Sequence, residues 1–186
     1  MRVIVGCEFS QIVTKAFRNR GHEAFSCDIL PTEGNPKWHI QGDILEHLDE
    51  SWDLGIFHPP CDRLSNSGVR WLAERNLWED MERGAAFFNK LLNCKIPKIA
   101  IENPIHHKYA RALIKIYDQI IQPHMFGHGE TKATCLWLKN LPKLTPTNEV
   151  DGRVARVHRE PPGPERWKNR SRTFQGVADA MASQWS

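Results

Sequence analysis

The chain has 186 residues, 40% of them hydrophobic and 25% charged, an ordinary balance for a globular protein with a buried core. No apolar run approaches a membrane span, and the short apolar start behind one arginine is too brief for a secretory leader, so a cytoplasmic protein is expected. Five cysteines at irregular spacing exclude a disulfide framework, and without a CxxC or CxxxC pair no metal site is expected.

Residues 2–6, RVIVG, read as a short apolar strand, in the pattern of a sheet whose central strand comes first. After the turn Cys7-Glu8-Phe9-Ser10, Ser10 is placed to cap a helix from Gln11 to Arg20, with Ile12, Val13, Ala16 and Phe17 at helical spacing. Residues 23–28, EAFSCD, form a second strand that closes on Asp28. Such a β-α-β unit predicts parallel strands with a right-handed crossover. An acidic residue at that strand end suits the hydroxyls of a ribose, or is an ordinary strand-end residue. One glycine, Gly6, is not the fingerprint of a pyrophosphate cradle, so a ligand with adenosine and no phosphate fits better. Residues 29–40 read as a loop, and Asp43 as a helix N-cap or a second carboxylate at the ligand.

The apolar run Leu54 to Phe57 reads as a buried strand broken by Pro59-Pro60. In an open α/β sheet, chemistry sits beyond the carboxyl ends of the strands. Cys61 therefore stands at a crevice, on a loop that two prolines stiffen, as a nucleophile or as an inert thiol. Val69 to Asn93 reads as one helix with Trp71, Leu72, Trp78, Met81 and Phe88 in the core. Residues 98–101, KIAI, form a strand that leads into Glu102-Asn103-Pro104. A carboxylate there lies near Cys61 and is costly to bury unless it is paired. His106 to Gln119 reads as a helix. Residues 120–126 and 134–139 read as a hairpin around the polar loop that holds His128, Glu130 and Lys132. Residues 142–164 are irregular and proline-rich, and Phe174 to Trp185 is a closing helix. The class is α/β, with a mostly parallel sheet and an antiparallel C-terminal hairpin.

The formal net charge of +3 is concentrated. Residues 151–186 carry 7 Lys and Arg against 4 Asp and Glu, and the rest of the chain sums to zero. Arg153, Arg156, Arg159, Arg170 and Arg172, with Trp167 among them, suit phosphate contact and base stacking, or make a solvated arm.

Three segments resemble one family. Pro59-Pro60-Cys61-Asp62-Arg63-Leu64-Ser65 looks like the catalytic PPCQxFS-type loop of DNA cytosine-5 methyltransferases. Glu102-Asn103-Pro104 looks like their ENV-type motif, and Arg172-Thr173-Phe174-Gln175-Gly176 is similar to their final motif. The resemblance implies one Rossmann-like, S-adenosylmethionine-dependent methyltransferase domain over residues 1–186. It implies Cys61 as the nucleophile, with Glu102 and Lys132 at the base, and cofactor contacts from Glu8, Phe9, Ser10, Asp28, Ile29, Asp43, Ile44 and Pro59. It implies DNA contacts from Ser65 and from Arg153, Arg156, Arg159, Arg170 and Arg172. The chemistry needs these residue types, because cytosine C5 becomes nucleophilic only after a thiolate adds at C6, and a base in a duplex must first be flipped out.

The sequence departs from the family pattern in four places. Gly6-Cys7-Glu8-Phe9-Ser10 replaces the glycine-rich cofactor loop. Asp62 stands where glutamine is usual. Lys132 stands in for an arginine of a QxRxR-type motif and lacks its planar fork. Residues 141–172, a short proline- and arginine-rich insert, occupy the place of a target-recognition domain. The last leaves room for relaxed specificity, single-stranded DNA, a free pyrimidine nucleotide, or help from an accessory protein or a second copy of the chain. A module that binds nucleic acid or nucleotide without catalysis is the alternative from another class.

Overall fold

The computed structural model describes residues 1–186. Its centre is a seven-stranded sheet in the order β3-β2-β1-β4-β5-β7-β6. The strands are β1 (Arg2–Gly6), β2 (Glu23–Asp28), β3 (His39–Gln41), β4 (Leu54–Phe57), β5 (Lys98–Pro104), β6 (Gln119–Ile121) and β7 (Thr134–Lys139). The first five run parallel, while β7 pairs antiparallel with both β5 and β6. The expected hairpin and the inner position of β1 are both present. β3, read from the sequence as loop, adds a short edge strand.

Alternate residues of the parallel strands enter two cores of similar size, as a sheet covered on both faces requires. Val3, Val5, Ile56 and Ala100 face helices α1 (Ile12–Arg18) and α5 (Gln175–Gln184). Ile4, Phe57, Ile99 and Ile101 face α3 (Trp78–Leu92), through Met81, Ala85, Phe88 and Leu91. No helix is long and apolar enough to cross a membrane.

Three local expectations are corrected. First, Val69 to Asn93 is two helices, α2 (Arg70–Glu74) and α3. Asn76 takes φ 50°, and the Leu77 N–H reaches back to the Leu72 carbonyl at 2.9 Å. This is a Schellman stop, with asparagine where glycine is commoner, and Glu79 and Asp80 then open α3. Second, His106 to Gln119 is not a helix, and holds only a 3₁₀ turn at Ala110–Ala112. Side chains claim the carbonyls that a helix would use. Trp137 Nε1 donates to Lys115 O at 2.7 Å, and Asn89 Nδ2 donates to Leu113 O at 2.9 Å. Third, Ser10 does not cap α1. The Glu8 carboxylate does, accepting from Val13 N at 2.6 Å and from Thr14 N and Oγ1 at 3.2 and 2.6 Å.

Candidate active site

The carboxyl ends of β1, β4 and β5 open into a cleft with two lobes. The smaller, of about 300 Å³, holds Cys61, Glu102 and Lys132. The larger, of about 620 Å³, holds Asp28, Ile29, Asp43 and Ile44. Cys7, Phe9, His58, Pro60 and Trp167 line both, so the lobes share a wall.

Strand pairing places Glu102. β4 pairs with β5 only as far as Phe57 opposite Ile101. Beyond that point β5 continues because antiparallel β7 supports it, with Glu102 opposite Leu136 and Asn103 opposite Cys135. The overhang carries Glu102 past the end of β4, level with the loop that follows it. Asn103 then ties the two together, as its Nδ2 donates to Pro59 O at 2.8 Å. The Cys61 carbonyl accepts from Leu64 N and Ser65 N at 3.1 and 2.9 Å, which closes the turn behind the thiol.

Glu102 is largely buried, with its side chain 10% exposed, and shares one oxygen between two partners. His58 Nδ1 lies 3.3 Å from Oε2, and Thr173 Oγ1 donates to the same atom at 3.2 Å. Burial opposes both charges of the pair. The contact outweighs it, so the Glu102 carboxyl is held below its ordinary value and the His58 imidazole above its own. Cys61 is different. Burial, with Asp62 beside it, pushes the thiol up, against the smaller pull of Lys132 and Arg170. Cys61 is therefore a protonated thiol at neutral pH, and its proton must leave during any attack.

In the larger lobe, Asp28 Oδ1 accepts from Leu30 N at 2.9 Å. Burial raises the Asp28 carboxyl, partly offset by that N–H. Asp43 caps the 3₁₀ turn Ile44–His47 by accepting from Leu45 N at 2.9 Å, and it still lines the lobe. Ile29 is 74% exposed, an apolar side chain held open beside these two carboxylates. Phe9 packs at 5.7 Å on the half-exposed Trp167 of α4 (Arg166–Ser171). Ser10 and Pro59 line the smaller lobe instead, and the Glu8 carboxylate is spent on α1.

The expected nucleic-acid residues divide. Ser65 is 3% exposed, with its hydroxyl 2.9 Å from Ser67 Oγ. Arg153 bonds the Val150 and Gly152 carbonyls, and Arg156 pairs with Glu130 at 2.9 Å. Arg172 holds both oxygens of Glu33 at 2.7 Å, and it lines the smaller lobe with Arg170. Arg159 stands exposed. His58, Asn103, Thr173 and Trp167 enter the site as well. Asn103 and Thr173 lie within two of the quoted motifs and Trp167 among the quoted arginines, which was a usable signal. His58 gave none beyond its place before Pro59.

No protein-family model matches the chain, and no curated protein matches it by sequence. Solved structures do match. A protein assigned as a DNA modification methyltransferase, encoded within an Escherichia coli prophage, superposes with a TM-score of 0.51 at 15% identity, over 81% of this chain and 52% of that one. The fold is that of a Rossmann-like methyltransferase. The Entamoeba histolytica methyltransferase EhMeth superposes with a TM-score of 0.48 at 16% identity, over 81% of this chain and 57% of that one. This methyltransferase-fold chain thus spans little more than half the length of each.

Proposed function

We propose that this chain is a compact DNA cytosine-5 methyltransferase that works through a covalent bond between Cys61 Sγ and cytosine C6. The observation that carries the reading is the smaller lobe, where Cys61, Glu102 and Lys132 meet from three separate segments of the chain. The larger lobe fits S-adenosylmethionine. Asp28 and Asp43 offer carboxylate oxygens to ribose and amine donors, and exposed Ile29 with Ile44 offers an apolar bed for adenine. The cofactor would supply an electrophilic methyl group. The chain's own residues do the rest.

Cys61 loses its proton as sulfur bonds to C6, and N3 of the ring gains one, so charge is conserved. Glu102 Oε1 accepts from the 4-amino group and stabilises the protonated ring, and Lys132 offers its charge to O2. Once C5 carries a methyl group, the C5 proton passes to water, the C5–C6 double bond re-forms, and Cys61 leaves as thiolate and recovers the proton held on N3. Residues 141–172 stand in place of a target-recognition domain, and a partner or a second copy would supply what that short insert lacks.

DNA containing 5-fluorocytosine tests this directly, because fluorine cannot leave C5 as a proton does. Wild-type protein with S-adenosylmethionine is expected to form an adduct stable to denaturing electrophoresis, and Cys61→Ala to form none. Methyl transfer by Cys61→Ala at the wild-type rate would sink the assignment. Running dCMP and dCTP beside DNA separates the polymer from a free nucleotide as substrate.

A further inference from the structure

His58 is one residue past the end of β4 and three before Cys61. Its backbone N–H donates to the Gly6 carbonyl at 3.0 Å, and the residue lines both lobes of the cleft. Nδ1 faces Glu102 Oε2 at 3.3 Å, and Thr173 Oγ1 takes the same oxygen at 3.2 Å. Oε1 has no protein partner, and Glu102 lines the smaller lobe. One carboxylate oxygen is anchored twice and the other is left for a ligand.

We propose that His58 is a positioning residue for Glu102, holding its carboxylate ionised and turned so that Oε1 alone is presented to the substrate base. The proposal rests on the cytosine reading above and adds to it a device for keeping the base-reading group an acceptor. An acceptor selects an N–H edge, which is the 4-amino group of cytosine and the protonated N3 that follows thiol addition. A buried carboxylate without such a partner takes up a proton. It would then turn an O–H toward the ring, or toward water.

The charged groups around the pair come from four other segments. Glu8, from the β1–α1 turn, adds a negative charge near His58, and Lys132, from the loop before β7, a positive one. Lys132 favours the Glu102 carboxylate and opposes the His58 imidazolium. Asp28, at the end of β2, also feels the His58 charge. The Cys7 and Cys61 thiols line the same lobe, as do Arg170 and Arg172 of the C-terminal segment. Among these, Lys132 alone pulls Glu102 the same way as His58, and it acts by charge without a hydrogen bond. Only His58 and Thr173 fix the carboxylate's orientation.

The test compares wild type, His58→Ala and His58→Asn, whose amide N–H reproduces the Nδ1 donor without its charge. Adduct formation on 5-fluorocytosine DNA is followed from about pH 5 to about pH 9, across the carboxylate and imidazole ranges. His58→Ala is expected to lose about 100-fold at neutral pH, the scale of a misplaced reacting group. Its acid limb moves upward, so part of the loss is recovered at the alkaline end. His58→Asn falls between the two. A loss that is equal at every pH would assign a merely structural role and overturn the proposal. Titration of ¹³C-labelled glutamate side chains by NMR, without DNA, reads Glu102 independently of any reaction. An unchanged Glu102 titration in His58→Ala overturns the proposal even if the protein proves inactive on DNA. Absence of any adduct with wild type, beside a shifted Glu102 titration, removes the cytosine reading and leaves the positioning role standing.

Discussion

Cys61 is the residue on which the proposed chemistry turns, and its surroundings disfavour the reactive form in the resting protein. Burial and Asp62 push the thiol up, while Lys132 and Arg170 pull it partly back. Alkylation by iodoacetamide requires thiolate, so modification of Cys61 mapped by mass spectrometry should still be accelerating at pH 9, where an ordinary thiol is half ionised. Arg170→Ala should slow it further. Labelling that levels off at or below pH 8 would show a thiolate already formed, contrary to this account. Glu8 illustrates the opposite allocation. A carboxylate expected at the cofactor is consumed by three hydrogen bonds to the first turn of α1. Gln11, placed at the helix start with φ 58°, is wholly buried and pins the loop after β2 through the Asn35 backbone at 2.7 and 2.9 Å.

At the level of elements, the larger lobe depends on how closely β1 approaches its neighbours. A Cβ at Gly6 would lie 2.7 Å from both Ile44 Cγ1 and Phe57 Cδ1. Gly6→Ala should therefore cost about 1–3 kcal/mol in urea unfolding, the scale of an overpacked core. It should also weaken S-adenosylmethionine binding in calorimetry, because Ile44 lines the larger lobe. Wild-type values for both would disprove that coupling. The sequence made the parallel strands legible, because Leu54–Phe57 and its partners are apolar on both faces and bounded by turn residues. Cys61 and Glu102 were legible as neighbours for the same reason, since strand ends in a parallel sheet converge on one edge. The segment from His106 to Gln119 was not. Its apolar spacing suits a helix, but bonds from Trp137 and Asn89, distant in the chain, decide its conformation. The stop at Asn76 was readable in principle, since asparagine followed by two acidic residues marks a helix end and a new start. The His58–Glu102 contact joins residues 44 positions apart and has no local signature.

For the whole molecule, net charge overstates what is available to DNA. Arg153, Arg156 and Arg172 are engaged within the protein. Of the five arginines expected at phosphates, Arg159 and Arg170 remain with guanidinium groups that have no hydrogen-bond or ion-pair partner in the protein. If these two carry the contact, the slope of log affinity against log salt for duplex DNA should be about −2. A slope near −5 would mean that the internal pairs open on binding. The arginine at Arg172 also has a second consequence. It clasps Glu33, in the loop after β2 that borders the larger lobe, while its own carbonyl accepts from Lys132 Nζ at 3.3 Å in the smaller one. A single residue thus touches the surroundings of both lobes. Occupancy of one lobe that tightens this clasp must favour occupancy of the other, and thermodynamic reciprocity makes the two factors equal. A molecule in the smaller lobe would then stay longer when the larger lobe is filled, and would leave more readily once that lobe empties.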